Sequence, residues 1–292
     1  MSKPSVVNNI TGVSYIGSPL PHTAMYVTKK VGQLVSNLKD IEGCLVFAED
    51  GVEVIPELLS SHEFRFSENP LMEYAIFAMN LERNREEHER AVRYIHTDQG
   101  AWISENAIIG KSAYIEPGVV IGPGVVIGDH ATILAGAVVK HSVIGDYVLI
   151  NEQAMVGSSS FTMAHDNHNN LVRIPTLGGV KIGNHVEIGP QNNIACGSSG
   201  NTVLCDYVKL DALIHVGHDS IIESNVEVTA GVTVSGFCTI GEKSFIGVGS
   251  IIRNRIKIGQ GAFIGMGSVV TKPVQNRLTV IGNPAKPLER HL

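Results

Sequence analysis

The stretch AWISEN AIIGKS AYIEPG VVIGPG VVIGDH ATILAG AVVKHS, residues 101–142, decides the fold. Cut into sixes, it carries an aliphatic residue at the third place of every block: Ile103, Ile109, Ile115, Ile121, Ile127, Ile133 and Val139. After a one-residue deletion the step continues through Ile144, Ile150 and Val156. It resumes at Ile182, Ile188 and Ile194, is reset by an insertion around Ser198 to Asn201, and then runs from Leu204 to Val270. A period of six fits neither an amphipathic helix nor a simple alternating strand. It predicts a solenoid with three flat faces per coil, each face a short strand and each corner a turn, with the aliphatic pointing inward. The Gly, Ala or Ser residues beside the aliphatics let the backbone turn at the corners.

Working outward, residues 1–98 lack this period and read as a small α/β domain. TAMYVTKK and EGCLVFAED predict strands. Asn69-Pro70 predicts a helix start, with Asn as N-cap and Pro in the first turn, and Leu71, Tyr74, Ala75, Ala78 and Leu81 on one face. The run LERNREEHERAV reads as a solvated helix or linker. The expected organisation is a domain over 1–98, a β-helix over 99–272 with a loop excursion at 158–179, and a tail over 273–292.

Composition fits this outline. Charged residues are 17% of 292 residues, aromatics 5%, and glycine numbers 31. A disordered chain would carry more charge, and a net charge of -6 argues against a general nucleic-acid binder. Four scattered cysteines without CxxC spacing predict reduced structural thiols. The segment MSKPSVVNNITG lacks the features of a signal peptide, and no apolar stretch approaches the ~20 residues that span a bilayer. The expected location is the cytoplasm.

Chemistry concentrates in VKLDALIHVGHDSIIESN, residues 208–225. The register turns Val216 inward and puts His218 at a corner, with Asp219 adjacent and Asp211 one block earlier. A coil of three blocks stacks His218 under Gly236 and Gly236 under Asn254. It also stacks Asp219 under Phe237 and Phe237 under Arg255. A base that a carboxylate orients, with a backbone N–H above it, suits acyl transfer from a thioester by direct attack. No nucleophile elbow suggests a covalent acyl-enzyme. His165 and His168 have H-x-x-H spacing without a helix to present it, and His215 and His218 are also three apart. Metal binding is the less favoured reading at both, and none is expected.

The chain resembles the UDP-3-O-acylglucosamine N-acyltransferases of lipid A synthesis. The resemblance is carried by NPLMEYA (69–75), VGSSSFTMAHDNHNNLVRIPTLGGVKIGNHVEIG (156–189) and TVLCDYVKLDALIHVGHD (202–219). The last third, with GHDSIIESNVEVTAGVTVSG (217–236), GMGSVVTKPV (265–274) and VIGNPAKPL (280–288), is similar to acetyl-CoA-dependent sugar acetyltransferases of the sialic-acid and bacillosamine type. These resemblances imply a left-handed parallel β-helix, a known exception to right-handed crossovers. They imply a homotrimer with sites between subunits, His218 as general base, Asp211 and Asp219 beside it and Gly236 as the oxyanion donor. Asn254, Arg255 and Lys286 are the expected acyl-donor contacts; Phe161, His165, His215 and Asn69 are the expected acceptor contacts, with the 158–179 loop over the acceptor.

The chain differs from the lipid A enzymes in having Met25, Thr28 and Val31 where they carry a uracil-stacking patch. Arg255 stands at their second histidine, and their helical tail has no counterpart. The GNPAK ending favours coenzyme A as carrier of the acyl group, with Lys286 expected to meet its phosphates. The expected function is therefore acyl transfer from an acyl-CoA co-substrate to a nucleotide-linked amino sugar, with no bound cofactor. The alternatives are a lipid A N-acyltransferase using hydroxyacyl carrier protein, and a non-catalytic β-helix that binds a sugar nucleotide.

Overall fold

The computed structural model describes residues 9–288, and the chain forms two compact units. One comprises Met1–His88, Phe161–Gly178 and Ser198–Gly200; the other comprises Glu89–Ser160, Gly179–Gly197 and Asn201–Leu292.

The first unit is built on a four-stranded parallel sheet, β1 (Gly12–Val13), β2 (Thr23–Val27), β3 (Leu45–Glu49) and β4 (Glu63–Ser67), paired in that order. Alternation along β2 and β3 sends Met25, Val27, Val46 and Ala48 to one face, where Val35, Leu38, Val52 and Leu58 cover them. Ala24, Leu45 and Phe47 face the other way and pack on Tyr74, Ala75 and Ala78 of α2 (Pro70–Ala91). The predicted strands and helix are present, and α2 extends through the charged run after residue 81. Strands β1 and β4 are additions to the sequence reading, as are the 3₁₀ turns Lys29–Asp40 and α1 (Pro56–Ser61).

The excursion at 158–179 is more regular than the sequence suggests. Met163–His165 and Leu171–Arg173 form an antiparallel hairpin. Ala164 and Ile174 from it are buried in the same cluster as Phe47 and Tyr74, so the hairpin completes the core of the first unit.

The second unit is the solenoid, a left-handed parallel β-helix. Its three sheets hold eight, ten and ten strands, most of them two residues long. Pairing is parallel from coil to coil; His215 sits beside Thr233, and Thr233 beside Ile251. From Ile121 to Val270 every residue of the six-step register is at most 4% exposed, while Ile103, Ile109 and Ile115 are only partly buried. A second inward position, two residues earlier, was missed by the sequence reading because its side chains vary in character. It holds Val119, Val125, Ala131, Val208, Ser220, Val226 and Cys238, all buried. The third residue after most register aliphatics adopts a left-handed backbone, as at His130, Tyr147, Asp219, Phe237 and Arg255.

The coil also extends past residue 272. Thr279–Ile281 adds a parallel strand beside Phe263–Ile264, and Lys286–Pro287 folds back antiparallel on it. Much of the expected tail is thus part of the helix. Among the described residues, no helix is long and apolar enough to cross a membrane.

Candidate active site at the His218 corner

Strand His215–Val216 ends in the turn Gly217–His218–Asp219–Ser220. Val216 is fully buried, which fixes the strand's register and throws His218 onto the corner. Asp219 has φ 56°, in the left-handed region, and its N–H donates to Thr202 Oγ1 at 3.0 Å. That conformation places Asp219 Oδ2 2.8 Å from His218 Nδ1. The two side chains are 17% and 7% exposed. An ionised carboxylate can only accept, so in the neutral imidazole the proton sits on Nδ1 and the lone pair on Nε2. Phe237 packs edge-on against the imidazole with centroids 5.1 Å apart. The Arg255 guanidinium lies 4.2 Å above the Phe237 ring. The stacking order predicted from an eighteen-residue coil is the one seen.

Gly236 lies directly over the imidazole. A Cβ built on it would sit 2.6 Å from His218 Nε2, so no other residue fits with the ring in this position. A Cβ on Gly217 would meet Gly236 N at 2.6 Å, so glycine there leaves that amide uncovered. Gly236 C=O accepts from Arg255 N at 3.0 Å, but its N–H donates to no acceptor among the described residues. Comparable turn amides elsewhere differ: those of Ser224, Val248 and Asn254 likewise have no acceptor among the described residues, while others are occupied. Asp129 N donates to Asp146 Oδ1, Asn184 N to Asp206 Oδ1 and Ala230 N to Asp211 Oδ2. The corner thus pairs an imidazole lone pair with an unspent amide, the equipment for taking a proton and holding an oxyanion.

The other candidates are distributed as follows. His215 is exposed on the strand face between Asn193 and Thr233. Its imidazole is held below the usual value, first by desolvation and second by the nearby His218. Asp211 is at the preceding corner, where its carboxylate accepts from Ala212 N at 2.7 Å and Ala230 N at 3.2 Å. It is not hydrogen bonded to His218 within the chain. Asn254 and Arg255 follow Gly236 one coil on and are exposed, as is Lys286 in the antiparallel end strand.

Asn69, Phe161 and His165 belong to the first unit. Asn69 Oδ1 accepts from Met72 N at 3.2 Å, capping α2, while its Nδ2 donates to His165 C=O at 2.9 Å. Both ends of that amide are therefore engaged in structure. Phe161 is 77% exposed under the Arg173 guanidinium. Met25 is fully buried and Val31 packs against the same core; neither side chain presents a surface to a base. Among the described residues, no group of three or more His, Cys, Asp or Glu is placed to hold a metal ion.

The sequence reading missed Thr202 and Ser220, buried behind the corner. Their signal was present as polar residues at the second inward position of two consecutive coils, a position not recognised from the period alone.

Coil, register and corner together define the chain as a left-handed β-helix of hexapeptide-repeat type. A bacterial transferase hexapeptide (six repeats) profile matches residues 237–272, and a GMPPB C-terminal domain profile matches 101–174. In sequence the chain is similar to UDP-3-O-acylglucosamine N-acyltransferases. It is 42% identical to UDP-3-O-acylglucosamine N-acyltransferase 2 of Legionella pneumophila (strain Lens) over 103 residues, 35% of this chain and 30% of that protein. It is 33% identical to a probable mitochondrial enzyme of the same name from Arabidopsis thaliana over 150 residues, 51% of this chain and 49% of that one. The chain thus spans under half the length of these curated relatives.

Among solved structures, a UDP-N-acetylglucosamine acyltransferase from Campylobacter jejuni superposes with TM-score 0.58 at 23% identity, covering 65% of this chain and 72% of its own. LpxA from Acinetobacter baumannii gives 0.54 at 26% identity, over 64% and 73%.

Proposed function

We propose that this protein transfers an acyl group from a thioester to the amine of a UDP-linked amino sugar, as a UDP-3-O-acylglucosamine N-acyltransferase of lipid A type. The observation that carries the reading is the His218–Asp219 pair lying beneath the uncommitted N–H of Gly236. The names of the relatives support the acceptor class, and the fold supports the transferase class.

In this reading His218 Nε2 accepts a proton as the sugar amine attacks the thioester carbonyl. Asp219 stabilises the imidazolium that forms, and the Gly236 N–H receives the developing oxyanion. The attack forms the C–N bond; collapse of the tetrahedral intermediate restores the carbonyl and breaks the C–S bond, and the imidazolium returns its proton to the departing thiolate. Asp211, at the preceding corner, and His215, on the strand face, are the proposed contacts to the acceptor. The homotrimer with sites between subunits belongs to the same proposal.

A second reading concerns only the donor. Arg255 and Lys286 are exposed cations, suited to the phosphates of coenzyme A. The experiment supplies acyl-CoA or hydroxyacyl carrier protein together with a UDP-amino sugar, and follows thiol release. The lipid A reading expects release with the carrier protein, and the second reading expects it with acyl-CoA. His218→Ala is expected to lower kcat by about 10³-fold, within the range for loss of a general base. A thermal midpoint raised by a sugar nucleotide, with no thiol released from either donor, would favour the non-catalytic alternative.

A further inference from the structure

Behind the His218 corner, the second inward column of the solenoid turns polar for three successive coils. Thr202 and Ser220 are 0% exposed and Cys238 is 1% exposed. Val180 and Ile256 flank them in the same column and are aliphatic. A buried hydroxyl is costly unless bonded, and here each polar atom reaches the turn of the following coil. Thr202 Oγ1 accepts the Asp219 N–H at 3.0 Å. Ser220 Oγ donates to Ser235 C=O at 3.0 Å and accepts the Cys238 N–H at 3.2 Å, bracketing Gly236 and Phe237 from inside. Cys238 Sγ donates to Arg253 C=O at 3.2 Å, and burial pushes its thiol pKa up, which keeps the proton in place.

The three turns gripped in this way carry His218 with Asp219, then Gly236, then Asn254 with Arg255. We infer that the Thr202–Ser220–Cys238 column is the positioning element of the site, with Ser220 aiming the Gly236 N–H and Thr202 aiming the Asp219 carboxylate. The inference rests on the acyl-transfer reading. Aliphatic side chains fill the equivalent inward position elsewhere, at Val125, Val180 and Ile256 in other coils of this column and at Val208, Val226 and Val232 on the other faces of the same coils. Closing a coil therefore does not require a hydroxyl. The base and the oxyanion donor come from different coils, and only bonds that cross between coils fix one against the other.

Ser244 supplies an internal control. Its Oγ makes the matching pair of bonds, to Gly259 C=O at 2.8 Å and from Ala262 N at 3.1 Å, around a turn that carries Gln260 rather than Gly236. Ser220→Ala, Ser244→Ala and His218→Ala in the full chain are compared for kcat, KM and thermal midpoint. Both serine variants are expected to lose similar stability. Ser220→Ala alone should lower kcat, by about tenfold or more as expected for a displaced catalytic group, with KM within about twofold. Ser220→Thr, which keeps the hydroxyl, is expected to restore most of kcat.

Equal kcat in the two serine variants, with His218→Ala inactive, overturns the positioning role and leaves the acyl-transfer reading standing. A His218→Ala variant as active as the parent, or a parent that is inactive, overturns both. If Ser220→Ala fails to fold, the near-isosteric Thr202→Val reads the same column through Asp219. A fall in kcat at constant KM is then expected, and an unchanged kcat overturns the inference.

Discussion

A methyl group at position 236 would fall 2.6 Å from the His218 Nε2 atom. Gly236 does not have a left-handed backbone, so alanine suits the local conformation and the collision is with the ring. Gly236→Ala should therefore leave the thermal midpoint within a few degrees while swinging the imidazole off its line. A kcat loss of about 10²-fold is expected, comparable to losing an oxyanion donor. Retention of full activity would remove both His218 and Gly236 from the site.

His62 poses a different question at the same scale. Its Nδ1 accepts from Cys44 N at 3.2 Å and its Nε2–H donates to Leu38 C=O at 3.2 Å, a neutral tautomer used at both ends. Burial holds its pKa below the usual value, outweighing the carbonyl contact of Leu38 and the charge of Glu42. The unfolded chain thus binds a proton more readily than the native one. Stability contributed by His62 is complete above the unfolded value of about 6.5 and declines as pH falls below it. Urea midpoints at pH 5.5 and 7.5 should show this loss. A His62→Gln variant, which keeps hydrogen-bonding capacity without titrating, should lose less between the same two pH values.

Among the elements, α2 and the 163–173 hairpin share one residue as a fastener. Asn69→Ala removes both the cap on Met72 N and the donor to His165 C=O. A cost of about 1–2 kcal/mol is expected from the cap, seen as a lower thermal midpoint. Asn69→Asp keeps the cap and should recover much of that loss; an alanine variant as stable as the parent would dismiss the role. The Asn-Pro start of α2 was legible because capping is written in adjacent residues. The hairpin was not, because Ala164 and Ile174 become apolar partners only when Phe47 and Tyr74 are beside them. Strand β4, EFRFS, does alternate polar and apolar residues, a strand signal the sequence reading passed over; in the fold Phe64 packs on the core while Phe66 is 45% exposed.

At the scale of the molecule, the six-residue step made the β-helix legible because every coil repeats the same inward position. Legibility stopped at the second inward column, where Val, Ala, Ser, Thr, Cys and Asn alternate and periodicity in hydrophobicity fades. The candidate base and its glycine were readable from the stacking interval. Thr202 and Ser220 were not, since their importance lies in bonds between coils. Stacked coils exchange most of their stabilisation with immediate neighbours. Ile188→Ala, fully buried in mid-stack, should therefore cost about 2–5 kcal/mol of global stability. Val280→Ala, in the last parallel strand, should instead loosen amides of its own coil first, which hydrogen exchange resolves.

Two sheets of the solenoid end on a strand of opposite sense. Tyr94–His96 runs antiparallel to Trp102–Ser104, and Lys286–Pro287 runs antiparallel to Val280–Ile281. A parallel stack invites its own continuation, because an open last rung is a template for the first rung of another molecule. A reversed strand cannot pass on that register, and Pro287 has no N–H to offer a newcomer. These two strands deny a parallel template on one sheet at each end of the solenoid, and so work against end-to-end stacking of a fold whose larger unit is repeating β-structure.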